Sequence, residues 1–134
     1  EGTDSQPLWG AARTLRERAG VPDPQGSVWG VAYKGNVEDS RETPATAVIA
    51  ALEQGGARVS AVDFHVKRFT RELEDLETSV TGADCILLLT DHREFGLLEP
   101  EAIGRRMRRR VLFDTRGCLP RQRWEQAGFR VIGL

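Results

Sequence analysis

Residues 28–44 read VWGVAYKGNVEDSRETP, and the reading of this stretch decides the fold. Val28 to Tyr33 is an apolar run with aromatic and β-branched residues, the composition of a buried strand, and it leads directly into a polar loop that ends at Thr43-Pro44. That loop carries a cation at each end, Lys34 and Arg41, with Gly35 and Asn36 beside the first and Ser40 and Thr43 around the second. Glycine lets backbone N–H groups approach a ligand closely, and a helix starting near Pro44 points its positive end back at the same place. An anionic ligand is therefore expected there. An ordinary strand-to-helix turn with solvated charges is the other reading of the same spacing.

Downstream, Thr43 reads as an N-cap and Pro44 as the first residue of a helix whose apolar stripe is Ala45, Val48, Ile49 and Leu52, closed by Gly55-Gly56. Arg58 to Val62 reads as a second strand, with Asp63 just past its end. Phe69, Leu73, Leu76 and Val80 recur at helical spacing until Gly82 stops them. Cys85 to Leu89 is too short and too uniformly apolar for a surface helix and reads as a central strand running into Thr90-Asp91-His92. Leu98 to Met107 is a shorter helix weakened by Gly104, and Val111 to Phe113 is a fourth strand. Pro120 opens a last helix burying Trp124 and Ala127, Gly128 ends it, and Phe129 to Leu134 is a fifth strand.

Upstream, Leu8, Ala12, Leu15 and Ala19 fall at helical spacing up to Gly20, and residues 21–26 form a Pro-rich connector. Residues 1–7 lack apolar content and are expected to be a disordered tail, and the start without Met reads as a piece of something longer. Strands and helices alternate five times, with connections long enough only for parallel crossovers. The expectation is one domain over 8–134, a three-layer α/β/α sandwich around a Rossmann-like, parallel five-stranded sheet.

At 134 residues the chain can bury roughly two-thirds of its unfolded surface and fold without staples. Nineteen basic residues against 20 acidic ones give a net charge of -1, so no global field favours nucleic acid or an anionic membrane, and any anion site must be local. No apolar run approaches the roughly 20 residues that span a bilayer, and no signal-peptide core is visible, so a cytoplasmic protein is expected. Two cysteines, Cys85 and Cys118, are too few for a disulfide framework or a cysteine zinc site. The run Arg105, Arg106, Arg108, Arg109 and Arg110 reads as cations offsetting a helix dipole; nucleic acid is the sharper reading, but no aromatic platform is interleaved.

Two strand orders suit this alternation, 3-2-1-4-5 and 2-1-3-4-5. In the first, the loop bearing Lys34 and Arg41 faces the one bearing Arg116 and Gly117. In the second, Lys34 faces Asp91, His92 and Glu94, a mixed set for holding phosphate. Three cations, Lys34, Arg41 and Arg116, around one crevice make a phosphate clamp, which favours 3-2-1-4-5.

Several signatures are missing. Gly30 and Gly35 are separated by Val31-Ala32-Tyr33-Lys34, so no G-x-G-x-x-G follows the first strand, and no P-loop occurs. Asp63 is placed like a ribose-binding acid, or equally as a turn or cap residue. His65 and His92 lack metal-ligand spacing and are expected to be exposed loop histidines. Arg116 near Cys118 could lower that thiol's pKa, but no paired histidine is visible. The residues alone describe a nucleotide-phosphate binder without its own reaction.

Val31-Ala32-Tyr33-Lys34, Asp39-Ser40-Arg41-Glu42-Thr43-Pro44, Thr90-Asp91-His92 with Phe95, and Phe113-Asp114-Thr115-Arg116 together closely resemble the C-terminal UDP-binding domain of UDP-glucose/GDP-mannose dehydrogenases, including the UDP-N-acetylmannosamine branch. The resemblance covers Leu8 to Leu134. It implies a parent enzyme of polysaccharide biosynthesis, expected to be a homo-oligomer, that oxidises an alcohol carbon of a UDP-sugar twice, to the acid, reducing two NAD. It assigns substrate binding to Tyr33 and Lys34, with Gly35 beside them, and places Arg41 and Arg116 at the cofactor side of the cleft between domains. The family's N-terminal NAD domain and the central helical segment with its catalytic cysteine have no counterpart here, and neither Cys85 nor Cys118 matches that nucleophile. The chain alone is therefore expected to bind neither NAD nor a metal and to be silent in catalysis. A free-standing nucleotide-binding or regulatory module is the alternative.

Overall fold

The computed structural model describes residues 25–31, 44–54, 56–64 and 72–133. Tyr33, Lys34, Gly35, Arg41, the Thr43 cap, His65, the tail over 1–7 and the helix expected over 8–19 lie outside the described residues.

Five strands, β1 (Gln25–Trp29), β2 (Arg58–Val62), β3 (Cys85–Leu88), β4 (Val111–Asp114) and β5 (Arg130–Gly133), form one parallel sheet. The helices are α1 (Pro44–Gln54), α2 (Leu76–Val80), α3 (Pro100–Arg106) and α4 (Arg121–Gln126), with a 3-10 turn at Arg93–Leu97. The sheet order is β2-β1-β3-β4-β5, which corrects the expected 3-2-1-4-5. In the observed register Val28 lies beside Leu87 and Trp29 beside Leu88. Burial explains the correction. All four residues of β3 are buried, so both of its faces need cover, and only a central place supplies that. Loop charge is a weaker constraint on strand order than this apolar requirement.

Alternation along the strands divides the core between the two faces of the sheet. Val28, Ala61, Cys85, Leu87 and Phe113 face α1, which turns Val48, Ile49 and Leu52 onto them. The opposite face carries Trp29, Val62, Ile86, Leu88 and Leu112 against Val80 of α2, Ile103 of α3 and Trp124 of α4. Trp29 stacks on Phe95 at 5.2 Å between ring centroids and meets Trp124 edge-on at 5.9 Å. Its indole N–H donates to Ser27 Oγ at 3.0 Å, and Ser27 Oγ pairs with Ser79 Oγ at 2.6 Å, so the polar groups buried with the aromatics are satisfied.

Element boundaries depart from expectation where a single residue intervenes. The first strand starts at Gln25 and stops at Trp29, because Gly30 takes φ +89° and leaves the ladder. The helix expected around Phe69 to Val80 is described as helical only from Leu76. The Asp75 carboxylate caps it by accepting from Thr78 N and Thr78 Oγ1, while Glu74 N donates to Ala61 O.

The arginine run is taken up by acids: Arg105 and Arg110 reach Glu101, Arg106 reaches Glu77, and Arg108 and Arg109 reach Asp84, at 2.6 to 3.9 Å.

Candidate functional site at the carboxyl ends of the central strands

In an open parallel sheet the ligand crevice lies where the strand order reverses, which here is between the carboxyl ends of β1 and β3. The chain leaves β1 through Gly30 and Val31 and enters the segment that carries Tyr33, Lys34 and Gly35. Across from it, the chain leaves β3 through Leu89 to His92. Leu89 N donates to Trp29 O at 2.9 Å, so the two walls are hydrogen-bonded up to the rim.

Gly30 is required at this edge. A Cβ there would stand 2.5 Å from Thr90 Cβ and 2.9 Å from Thr90 N, and its positive φ disfavours any side chain. The glycine serves close packing of one wall on the other.

Beneath the crevice lies a buried polar cluster. Asp63, one residue past β2, accepts from Val31 N at 2.8 Å, and His92 Nε2 lies 2.9 Å from both of its carboxylate oxygens. Both side chains are fully buried. His92 also packs on Phe95, with ring centroids 5.7 Å apart. The expectation of an exposed loop histidine at 92 is corrected: paired with a carboxylate, the imidazole can go inside. Sequence spacing could not reveal this, because the partners are 29 residues apart and meet only across β1. The removal of His92 from the crevice surface also simplifies the charge expected opposite β1, leaving Asp91 and Arg93 exposed.

Arg116 lies on the loop after β4, with β3 between that loop and β1, so Arg116 and Gly117 stand one strand farther from the β1 exit than expected, about 4.8 Å of sheet width. Asp114 builds the loop. One carboxylate oxygen accepts from Arg116 N at 3.1 Å and Gly117 N at 2.8 Å, and the other from Leu119 N at 3.0 Å, leaving the Arg116 side chain exposed. Neither thiol is activated. Burial pushes Cys85 up to about 12, and partial burial of the Cys118 sulfur, with Asp114 and Asp91 nearby, pushes it up to about 11 against the weaker pull of Arg116. No group of three or more metal-ligating side chains occurs among the described residues.

Residues 27–121 match the sequence model of the UDP-glucose/GDP-mannose dehydrogenase family, UDP binding domain. The chain belongs to this family. A UDP-N-acetyl-D-mannosamine dehydrogenase of Methanococcus maripaludis is 37% identical over 136 residues, a match covering 98% of this chain and 32% of the relative. The solved UDP-D-ManNAc dehydrogenase from Pyrococcus horikoshii superposes with a TM-score of 0.80 at 30% identity, over 97% of this chain and 31% of that one. An NDP-N-acetyl-D-galactosaminuronic acid dehydrogenase from Methanosarcina mazei gives a TM-score of 0.85 at 24% identity, which speaks to the fold. The chain thus spans about a third of the length of the dehydrogenases it matches. Every crevice residue described above, from Val31 to Arg116, falls inside the span matched by the family's UDP binding domain.

Proposed function

We propose that this chain holds the UDP part of a nucleotide sugar at the crevice between β1 and β3, as the substrate-binding part of a cytoplasmic, homo-oligomeric, NAD-dependent UDP-sugar 6-dehydrogenase. One observation carries the reading: the family's UDP binding domain match spans the topological switch point of this sheet, where a ligand is expected on geometric grounds alone. Tyr33 packs on the nucleotide, Lys34 pairs with the diphosphate, and Gly35 lets the backbone approach. Arg41 and Arg116 face a cofactor held by the rest of the enzyme. This chain's own contribution is binding energy. By fixing the UDP end, it orients the sugar toward a reacting centre supplied elsewhere, which lowers the entropy cost of reaching the transition state. In this reading the dinucleotide is held by the rest of the enzyme, and the hydride step lies there. The name of the M. maripaludis relative favours UDP-N-acetylmannosamine as the sugar.

The test is titration of UDP into the 134-residue chain by calorimetry. Lys34→Ala is expected to weaken binding by about 1.5–3 kcal/mol, roughly ten- to hundredfold, through loss of a charge-assisted contact. The melting transition should stay in place, whereas Arg116→Ala should leave UDP affinity nearly unchanged. Equal affinity for wild type and Lys34→Ala would remove Lys34 from the site.

A further inference from the structure

We propose that Asp63, held by His92, is a positioning residue that sets the direction in which the nucleotide-binding segment leaves β1; this rests on the UDP reading above. The β1 ladder ends at Trp29, and Gly30 N donates to Val62 O at 2.7 Å. The next N–H, that of Val31, donates to a side chain, the Asp63 carboxylate, at 2.8 Å. Tyr33 and Lys34 follow two and three residues later in the sequence, so the Gly30–Val31 peptide is the last described anchor before them.

Of the other carboxylates that bond backbone N–H groups near the element ends, Asp84 joins the amino-terminal ends of β1 and β3, away from the crevice, and two act locally. Asp75 reaches three residues ahead, and Asp114 two to five. Asp63 instead spans 32 residues to Val31 and 29 to His92, tying the end of β2 to both walls of the crevice. Because both of its carboxylate oxygens are equidistant from Nε2, the imidazole fixes the carboxylate's rotation and keeps an oxygen on Val31 N. The His92 ring is in turn held by Phe95, which also packs against Phe64 at 5.3 Å.

The experiment measures UDP affinity of the 134-residue chain by calorimetry, at a temperature where circular dichroism shows every variant folded. Asp63→Ala is expected to weaken UDP binding roughly five- to thirtyfold. Asp63→Asn should restore it to within about threefold, because its amide oxygen can accept from Val31 N while its NH2 donates to unprotonated Nε2. Ile86→Val, in the core away from the strand ends, should lower the melting temperature and leave UDP affinity as it is. Wild-type affinity in Asp63→Ala would overturn the proposal, as would an affinity loss in Ile86→Val equal to that in Asp63→Ala. If Asp63→Ala does not fold, His92→Phe keeps the ring volume but removes Nε2. A loss of about threefold or more is then expected, and unchanged affinity overturns the proposal. Lys34→Ala, run alongside, separates the two claims. If it binds UDP as wild type does, or if wild type binds none, the site reading fails and the positioning proposal fails with it. A loss in Lys34→Ala with none in Asp63→Ala defeats the positioning proposal alone.

Discussion

Asp84 joins the amino-terminal ends of the two central strands with one side chain. Arg108 donates to its two oxygens at 2.7 and 2.6 Å, and Gln25 N donates to it at 2.8 Å. Burial pushes this carboxyl up, but the Arg108 bonds, the Gln25 N–H and the Arg109 charge together outweigh it, so its pKa lies below the ordinary 3.8. A depressed folded-state pKa contributes stability that is complete above the ordinary value and is lost as pH falls through the folded one. Asp84→Asn should therefore cost about 1.5–3 kcal/mol near neutrality, the range for charge-assisted bonds, with the half-exposed Arg108 keeping it below a fully buried pair. That difference should shrink steadily below pH 3.8. Urea melts of both proteins at pH 7 and at pH 3 check it, and a gap that does not narrow in acid would contradict the assignment. At this scale the sequence is least legible. Asp63, His92 and Asp84 acquire their roles from partners 24 to 59 residues away, and nothing in their local spacing marks them.

A glycine inside α3 looks like a weakness when only helix propensity is considered. In the fold, Gly104 is the floor on which Arg110 lies. A Cβ there would meet Arg110 Nε at 2.6 Å and Cδ at 2.8 Å, while Nη1 bonds Glu101 Oε1 at 3.0 Å and also Ala127 O. The guanidinium thus links the first turn of α3 to the end of α4. Gly104→Ala is expected to destabilise the protein by about 1 kcal/mol through this overlap. Placed on Arg110→Ala, the same change should stabilise by about 0.5–1 kcal/mol, the ordinary gain of alanine over glycine in a helix. A double-mutant cycle from urea melts measures the reversal, and the same sign in both backgrounds would show that Arg110 does not govern the site. Strand cores were legible at this scale, since Arg58–Val62 and the apolar centres of β3 and β4 stand where their composition places them. Boundaries were less so: Gly30 ends β1 early through its close packing on Thr90, and Asp75 starts α2 late as a cap bonded to Thr78.

For the whole molecule, α/β alternation and parallel pairing followed from hydrophobic pattern and connection length, whereas the strand order did not follow from loop charge. The decisive quantity was the two-sided burial of Cys85 to Leu88, visible in the sequence as an unbroken apolar run and already suited to the sheet centre. With β3 beside β1, the expected ligand site moves from the Arg116 loop to the gap between Val31 and the turn over 89–92. The most direct measurement is UDP titration of the isotopically labelled chain followed by amide chemical shifts. Saturable changes are predicted at Val31, Thr90 and Asp91, with the opposite sheet end around Gly82, Asp84 and Arg108 unmoved. Shifts centred on Arg116 to Cys118 and the end of β5 with none at Val31 or Thr90, or no saturable change anywhere, would contradict a UDP site at the β1–β3 crevice.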